Sequence, residues 1–337
     1  MIQNLLFDVP DDAPTPLVGC DAEVLRVSRM AMATLFEVVT PLGTPKAEFA
    51  SLAILDQVDE LEAQLTVYRP DSEVSLLNER AHAGPVAVAP NLFELLYECA
   101  LLTRATQGAF DVAMGTLIKA WGFVQRQGRV PTPTERSQAV SQAGTRYLVF
   151  DREARTVQYL RPLEINLGSI GKGYALDEAV ERVQHRFHLP HGLLQGGRSS
   201  VLAWGNAGQG ISGWPVGLSH PWQPEISLGT IRLKNQALAT SAATYQHFVY
   251  NGKKLGHLID PRTGWPAAEL DQVSVIAPNA AHADALSTAF YVLGLEGIRN
   301  FCRTHPEVSA IVMKDGQVHC INHPDFIPAS TAAVASG

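Results

Sequence analysis

Four cysteines in 337 residues, Cys20, Cys99, Cys302 and Cys320, lie far apart and form no Cys-x-x-Cys pair. That spacing supports neither a zinc framework nor a dense disulfide scaffold, and it reads as buried thiols in a reducing compartment. Long apolar runs are missing as well, so no segment approaches the ~20 residues of a spanning helix. The start of the chain carries Leu5-Leu6-Phe7 without a basic stretch, followed by Asp8, Pro10, Asp11, Asp12 and Pro14. This is not a signal-peptide pattern, and the expectation is a cytoplasmic protein with no membrane span. Basic charge is scarce too: 26 Lys and Arg stand against 33 Asp and Glu, for a formal net charge of −7. Without a basic run, nucleic acid is a poor partner. Any polyphosphate must be held locally, by a metal, a lysine or backbone amides.

What is present is core material: 46% of residues are hydrophobic and 18% charged, which excludes a disordered chain. Residues 1–23 read as a leader or arm, 24–328 as the folded domain and 329–337 as a flexible tail. Ile54, Val58, Leu61 and Leu65 mark one helix stripe; Leu92, Leu95, Leu96, Cys99 and Leu102 mark another, with a capping-box spacing at Asn91 and Glu94. Further helices are expected from Gly173 to about Arg186 and from Ala283 to about Leu293, ended by Gly294. Strand-like segments include Thr34–Thr40, Arg146–Phe150, Thr156–Leu160, Val201–Trp204, Gly229–Leu233, Val273–Ala277, Ser309–Met313 and Val318–Ile321. Lys314-Asp315-Gly316-Gln317 is a strong hairpin turn between the last two. Hairpins mixed with helices, without regular βαβ alternation, argue for an α+β fold of mixed, largely antiparallel sheets with packed helices.

Five segments carry more glycine and polar punctuation than packing requires. Gly108-Ala-Phe-Asp111, followed by Trp121-Gly-Phe123, can set an aromatic face and a carboxylate at a pocket edge, or can be a helix stop with an N-cap. Gly168, Gly171 and Gly173 around Lys172 let backbone approach a ligand at a helix N-terminus, a natural seat for phosphate, though no Walker A loop is present. Gln195-Gly-Gly-Arg-Ser-Ser200 offers a similar close approach. In His257-Leu-Ile-Asp-Pro-Arg-Thr-Gly264 a histidine suited to general-base work stands three residues before Asp260, which could orient it. Asp284 and Thr288 are i, i+4 on one helix, so a carboxylate and a hydroxyl share a face of the kind Mg²⁺ prefers. An N-terminal-turn Asp beside a surface Thr is the alternative.

In order, these segments resemble the ApbE family of flavin transferases (FAD:protein FMN transferases) from about Arg29 to Gly294. Met32-Ala-Thr34 is similar to the family's opening Met-Gly-Thr. Tyr68-Arg-Pro-Asp-Ser-Glu-Val-Ser-Leu-Leu-Asn78, Gly108–Asp111 with Trp121–Phe123, and Asn166–Tyr174 resemble its successive motifs. Thr240-Ser241 with His257–Gly264, and the Ala283–Thr288 helix, complete the series. The resemblance implies an ApbE-like, T-fold-related architecture and Mg²⁺-dependent transfer of FMN from FAD to a threonine of an acceptor flavoprotein subunit, releasing AMP. It implies a metal held by Ser169, Asp284 and Thr288, and FAD contacts at Met32, Tyr68, Ala109, Phe110, Asp111, Asn166 and Lys172. It also implies His257 as the base that takes the threonine proton, with Asp260 beside it. Three positions depart from the family pattern: Asn166 and Arg198 stand where Asp is usual, and Ala242 where Gly is usual. Asn166 and Arg198 keep open a flavin-binding protein without turnover, and hydrolysis of FAD to FMN and AMP, with water in place of the threonine, is a second enzyme reading.

Overall fold

A computed structural model describes residues 23–123, 128–208, 210–242, 247–250, 253–323, 325–329 and 334–335. The expected leader, except Glu23, and most of the expected tail lie outside the described residues. Seven α-helices are described: α1 (Ala47–Leu65), α2 (Glu73–Arg80), α3 (Pro90–Ala105), α4 (Gly115–Ala120), α5 (Pro133–Ser141), α6 (Gly171–Phe187) and α7 (Ala280–Thr304). None is long and apolar enough to cross a membrane. The chain divides into two compact units; the first takes in Ala63–Ser169 and Tyr245–Ala268, and the second holds the described residues up to Glu62, Ile170–Thr244 and those from Glu269 onward.

The second unit is built on a nine-stranded sheet. Its order is Val24–Ala31, Thr34–Pro41, Gly192–Gly196, Ser200–Trp204, Gln236–Ala242, Gln272–Ala277, Ser309–Lys314, Gln317–Ile321 and Val334–Ala335. Every pairing is antiparallel except the last. Alternation decides the faces, since side chains on a strand point to opposite sides. Phe36, Val38, Leu194, Ala237 and Ala239 pack with α1 and α6 through Ile54, Val58, Leu176 and Val180. Val39, Leu193, Val201, Leu238 and Ile276 pack instead on Trp214, Val216, Ile231 and Leu233 of a second, three-stranded sheet. Gly192–Gly196 and Gln236–Ala242 are covered on both faces, so neither shows the apolar–polar alternation that marks a half-exposed strand. The Lys314–Gln317 turn has Asp315 and Gly316 at φ 50° and 75°, the signs a two-residue hairpin of this hand needs.

The first unit holds α2 to α5, a three-stranded sheet (Val86–Ala87, Thr156–Tyr159, Leu148–Asp151) and the ribbon His247–Tyr250 with Lys253–Gly256. Leu117, Trp121, Phe123, Ala139 and Ile259 form one of its cores. Helix α3 differs from the expected start. Pro90 opens it, Ala89 is the cap residue without a side-chain bond, and Asn91 exchanges hydrogen bonds with Gln64 instead. The expected stop at Gly294 is a break rather than an end: its φ of 70° interrupts α7, and helix resumes to Thr304. Cys99 and Cys302 are buried free thiols and Cys320 is half-buried; burial raises all three, Cys302 to about 12.

Candidate functional site

In the second unit the site grows from the meeting of α6 and α7. Gly173 allows that meeting, because a Cβ there would sit 2.0 Å from the Ala280 carbonyl oxygen. The glycine that sequence assigns to ligand approach therefore serves helix packing. Asp177, one turn further along α6, accepts the Ala280 and Ala281 amides at 2.8 Å each and so caps α7. Burial raises its carboxyl to about 6, against the lowering effect of those two amides. With the start of α7 fixed, Asp284 follows, 5% exposed. Its Oδ2 accepts the Gly173 N–H at 3.0 Å, its Oδ1 accepts the Ser200 hydroxyl at 3.2 Å, and Lys172 Nζ stands 3.8 Å from Oδ1. Thr288 Oγ1 lies 3.5 Å from both the Asp284 carbonyl and Ser241 Oγ, while Ser287 holds that carbonyl at 2.9 Å.

This donor set fits a small hard cation. A carboxylate offers about four lone-pair sites, and among the described residues the Asp284 oxygens accept two hydrogen bonds. The Thr288 hydroxyl is held only at the outer limit of bonding distance. Among the described residues no three His, Cys, Asp or Glu side chains cluster to hold a metal. Most of the coordination would come from hydroxyl, carbonyl, water and ligand oxygens, as Mg²⁺ tolerates. At the same end of the sheet, Met32 and Ala33 make the turn between Val24–Ala31 and Thr34–Pro41 with φ of 49° and 59°. The Met32 N–H donates to Glu62 at 2.7 Å.

In the first unit, carboxylates serve their own chain. Ala109, Phe110 and Asp111 are all buried. The Asp111 carboxylate accepts the amides of Ala113 (2.9 Å) and Thr145 (3.0 Å); burial raises it, and those bonds oppose the rise. It is not an N-cap, since α4 begins at Gly115 after Met114. A cavity of about 410 Å³ lined by Gly108, Asp111, Thr145, Arg104, Arg146 and Arg262 opens beside this turn. Asn166 Oδ1 accepts the Gly168 N–H at 2.9 Å, a bond that Asp would make equally well, so this departure keeps the loop. Asn78 clamps the neighbouring Ile165 through both its N–H and its carbonyl. Ser169 is half-buried, and Tyr68 is 72% exposed, free to offer a ring face.

His257 is half-buried after the Lys253–Gly256 strand, edge-on to Phe123 at 6.5 Å. Asp260 directs both oxygens at Arg262: Oδ1 accepts the Arg262 N–H (2.9 Å) and Nε (2.8 Å), and Oδ2 accepts Nη2 (2.9 Å). These bonds raise the Arg262 guanidinium. Gly264, at φ 72°, returns its N–H to the Asp260 carbonyl at 2.8 Å, and Trp121 Nε1 donates to the Gly264 carbonyl at 2.9 Å. The loop carrying His257 is thus tied at its far end to the core of this unit. Lys172, Asp284 and Thr288 come together in one unit, and Asn166 meets the Asp111 turn in the other through its N–H on the Val112 carbonyl at 2.8 Å. Glu62, Asp177, Ser200 and Ser241 were not singled out from the sequence, although all but Glu62 fall within its motifs, Asp177 at the end of the segment that begins at Ile165.

Solved structures share this α+β architecture. The ApbE protein of Thermotoga maritima matches with a TM-score of 0.80 at 27% identity, covering 87% of this chain and 95% of that one. The apo flavinyl transferase ApbE of Pseudomonas stutzeri matches with a TM-score of 0.76 at 25% identity, covering 91% and 94%. The protein named FAD:protein FMN transferase in Salmonella typhimurium is 28% identical over 318 residues, 91% of this chain and 89% of its own length. Its namesake in Haemophilus influenzae is 29% identical over 252 residues, 70% of each. The sequence profile of the ApbE family matches residues 32–312, a span that includes every candidate residue above. The chain belongs to the ApbE family.

Proposed function

We propose that this protein is an FAD:protein FMN transferase that moves FMN from FAD onto a threonine hydroxyl of an acceptor flavoprotein, with Mg²⁺ as cofactor and AMP as the leaving group. The observation that carries this reading is the seat around Asp284. A buried carboxylate, a lysine and the N-terminus of α6 converge there, and the loosely held Thr288 hydroxyl lies one turn away. Helix N-termini and lysines favour phosphate oxygens. Asp284 and Thr288 would hold the metal, with Ser169 as the third protein contributor, and the ion when bound supplies charge neutralisation on the phosphoryl oxygens. Lys172 adds a fixed positive charge. Met32, Tyr68, Ala109, Phe110, Asp111 and Asn166 are assigned to FAD, with the exposed Tyr68 ring available for stacking and the Asp111 turn offering backbone rather than its committed carboxylate.

His257 takes the proton of the threonine hydroxyl on a ring nitrogen. The threonine oxygen then bonds to the flavin-side phosphorus while the diphosphate P–O bond breaks toward AMP. Positioning and charge account for most of the catalysis in such transfers. Asp260, clamped on Arg262, holds the shape of the His257 loop. The test is incubation of the full chain with FAD, MgCl₂ and an acceptor bearing an exposed threonine, followed by mass spectrometry. An acceptor heavier by one FMN, with AMP released in equal amount, supports the reading. AMP formed equally fast without acceptor points to hydrolysis. Bound FAD with no AMP over hours points to a flavin-binding protein without turnover.

A further inference from the structure

One cation at the Asp284 end of the sheet has no part in that chemistry. Arg198 sits in the turn between Gly192–Gly196 and Ser200–Trp204. The turn is fixed on both sides: the Gly197 N–H donates to the Leu35 carbonyl at 2.8 Å, and the Thr240 N–H donates to the Ser199 carbonyl at 2.7 Å. Register places it in line with the other groups of the seat. Phe36 pairs with Gly196 and Ser200 with Ala239, so the Met32–Ala33 turn, the 197–199 turn and the end of Gln236–Ala242 share one sheet end. A relay of hydroxyls continues inward, with Ser199 Oγ 3.4 Å from Ser200 Oγ and Ser200 Oγ 3.2 Å from Asp284 Oδ1. Arg198 is half-buried and makes no ion pair among the described residues. A guanidinium costs free energy to desolvate, so one left half-buried without an acid is suited to an anion from outside the chain.

The charge of the seat agrees. Asp284 brings one negative charge, and Lys172, 3.8 Å away, balances it before any ligand arrives. Arg198 adds a second positive charge at this sheet end, where the Glu62 carboxylate is already engaged by the Met32 N–H. Resting on the transferase reading, we infer that Arg198 is a substrate-positioning residue that pairs its planar fork with the diphosphate of FAD, and that with Lys172 it lets this chain hold FAD in the absence of divalent metal.

The test measures binding rather than turnover. The full chain, stripped with EDTA, is titrated with FAD and, separately, with riboflavin, which has no phosphate, and both titrations are repeated with saturating MgCl₂. The wild type is expected to bind FAD in EDTA. Arg198→Ala should weaken that binding about tenfold or more, Arg198→Lys should recover part of it, and riboflavin affinity should stay unchanged. Magnesium should narrow the gap between Arg198→Ala and the wild type. The inference is overturned if Arg198→Ala binds FAD in EDTA as the wild type does, or if riboflavin affinity falls by the same factor, which marks a packing role. Should the alanine variant melt early, Arg198→Gln repeats the comparison at nearly equal side-chain length. A wild type that binds FAD only with magnesium overturns this inference and leaves the transferase reading standing. One that binds FAD under neither condition sinks the transferase reading itself.

Discussion

Asp284 and Asp111 are both aspartates about 5% exposed, yet they do opposite work. Asp111 is consumed by its own chain: its oxygens accept the Ala113 amide, the Thr145 amide at both oxygens and the Thr145 hydroxyl at 3.5 Å, and burial raises its carboxyl despite them. Asp284 has lone pairs to spare and a lysine 3.8 Å away. Asp260 sides with Asp111, since its oxygens belong to Arg262. A buried acid is therefore no guide to chemistry until its partners are counted; what marks Asp284 is unspent capacity beside an unspent hydroxyl.

The comparison can be broken by substitution, and the largest effect is expected at His257. His257→Ala should lower FMN transfer roughly 10²–10⁴-fold in single-turnover kinetics while leaving FAD affinity within about twofold. Unimpaired transfer would remove the base from the mechanism. Asp284→Asn keeps the volume and removes the charge, and a fall of roughly 10²–10³-fold in transfer with little change in urea midpoint is expected. Asp111→Ala should show the reverse profile. It strands buried amides, so unfolding free energy should drop by about 2–4 kcal/mol, measured by urea denaturation. If Asp111→Ala is as stable as the wild type, or Asp284→Asn unfolds, the contrast between the two acids fails.

A smaller effect sharpens the role of Asp177. Its carboxyl is raised from 3.8 to about 6, so the folded state binds the proton more tightly than the unfolded chain. Stability from this group is full below pH 4 and is lost as pH rises toward 6, at up to about 1.4 kcal/mol per pH unit. Asp177→Asn should flatten that decline in urea titrations run from pH 4 to 7. An equally steep profile in the variant would assign the decline elsewhere.

Much of the site was legible because its turn chemistry is local. The Gly108–Asp111 turn, the Gly-Gly pair before Arg198 and Asp260-Pro-Arg-Thr-Gly264 each need particular residues within a few positions. The partners that hold the pieces were not legible. Glu62 meets Met32 from 30 residues away and Asp177 meets Ala280 from 103 away, distances over which no spacing rule operates. A strand covered on both faces also escaped notice, as Gln236–Ala242 shows. Gly173 was read for a ligand because glycine permits close approach, and sequence alone does not say whether a ligand or another helix will use it.

The Met32–Ala33 turn has one more consequence. A left-handed residue other than glycine costs roughly 1–2 kcal/mol, and this chain spends it at Met32 and again at the exposed Ala33. Ala33→Gly should therefore relax the backbone and raise the melting temperature by a few degrees, with FAD affinity retained. Position 33 is thus a natural starting point for making a hardier version of the protein, and the Glu62 tether beside it would keep the loop in shape while it is altered.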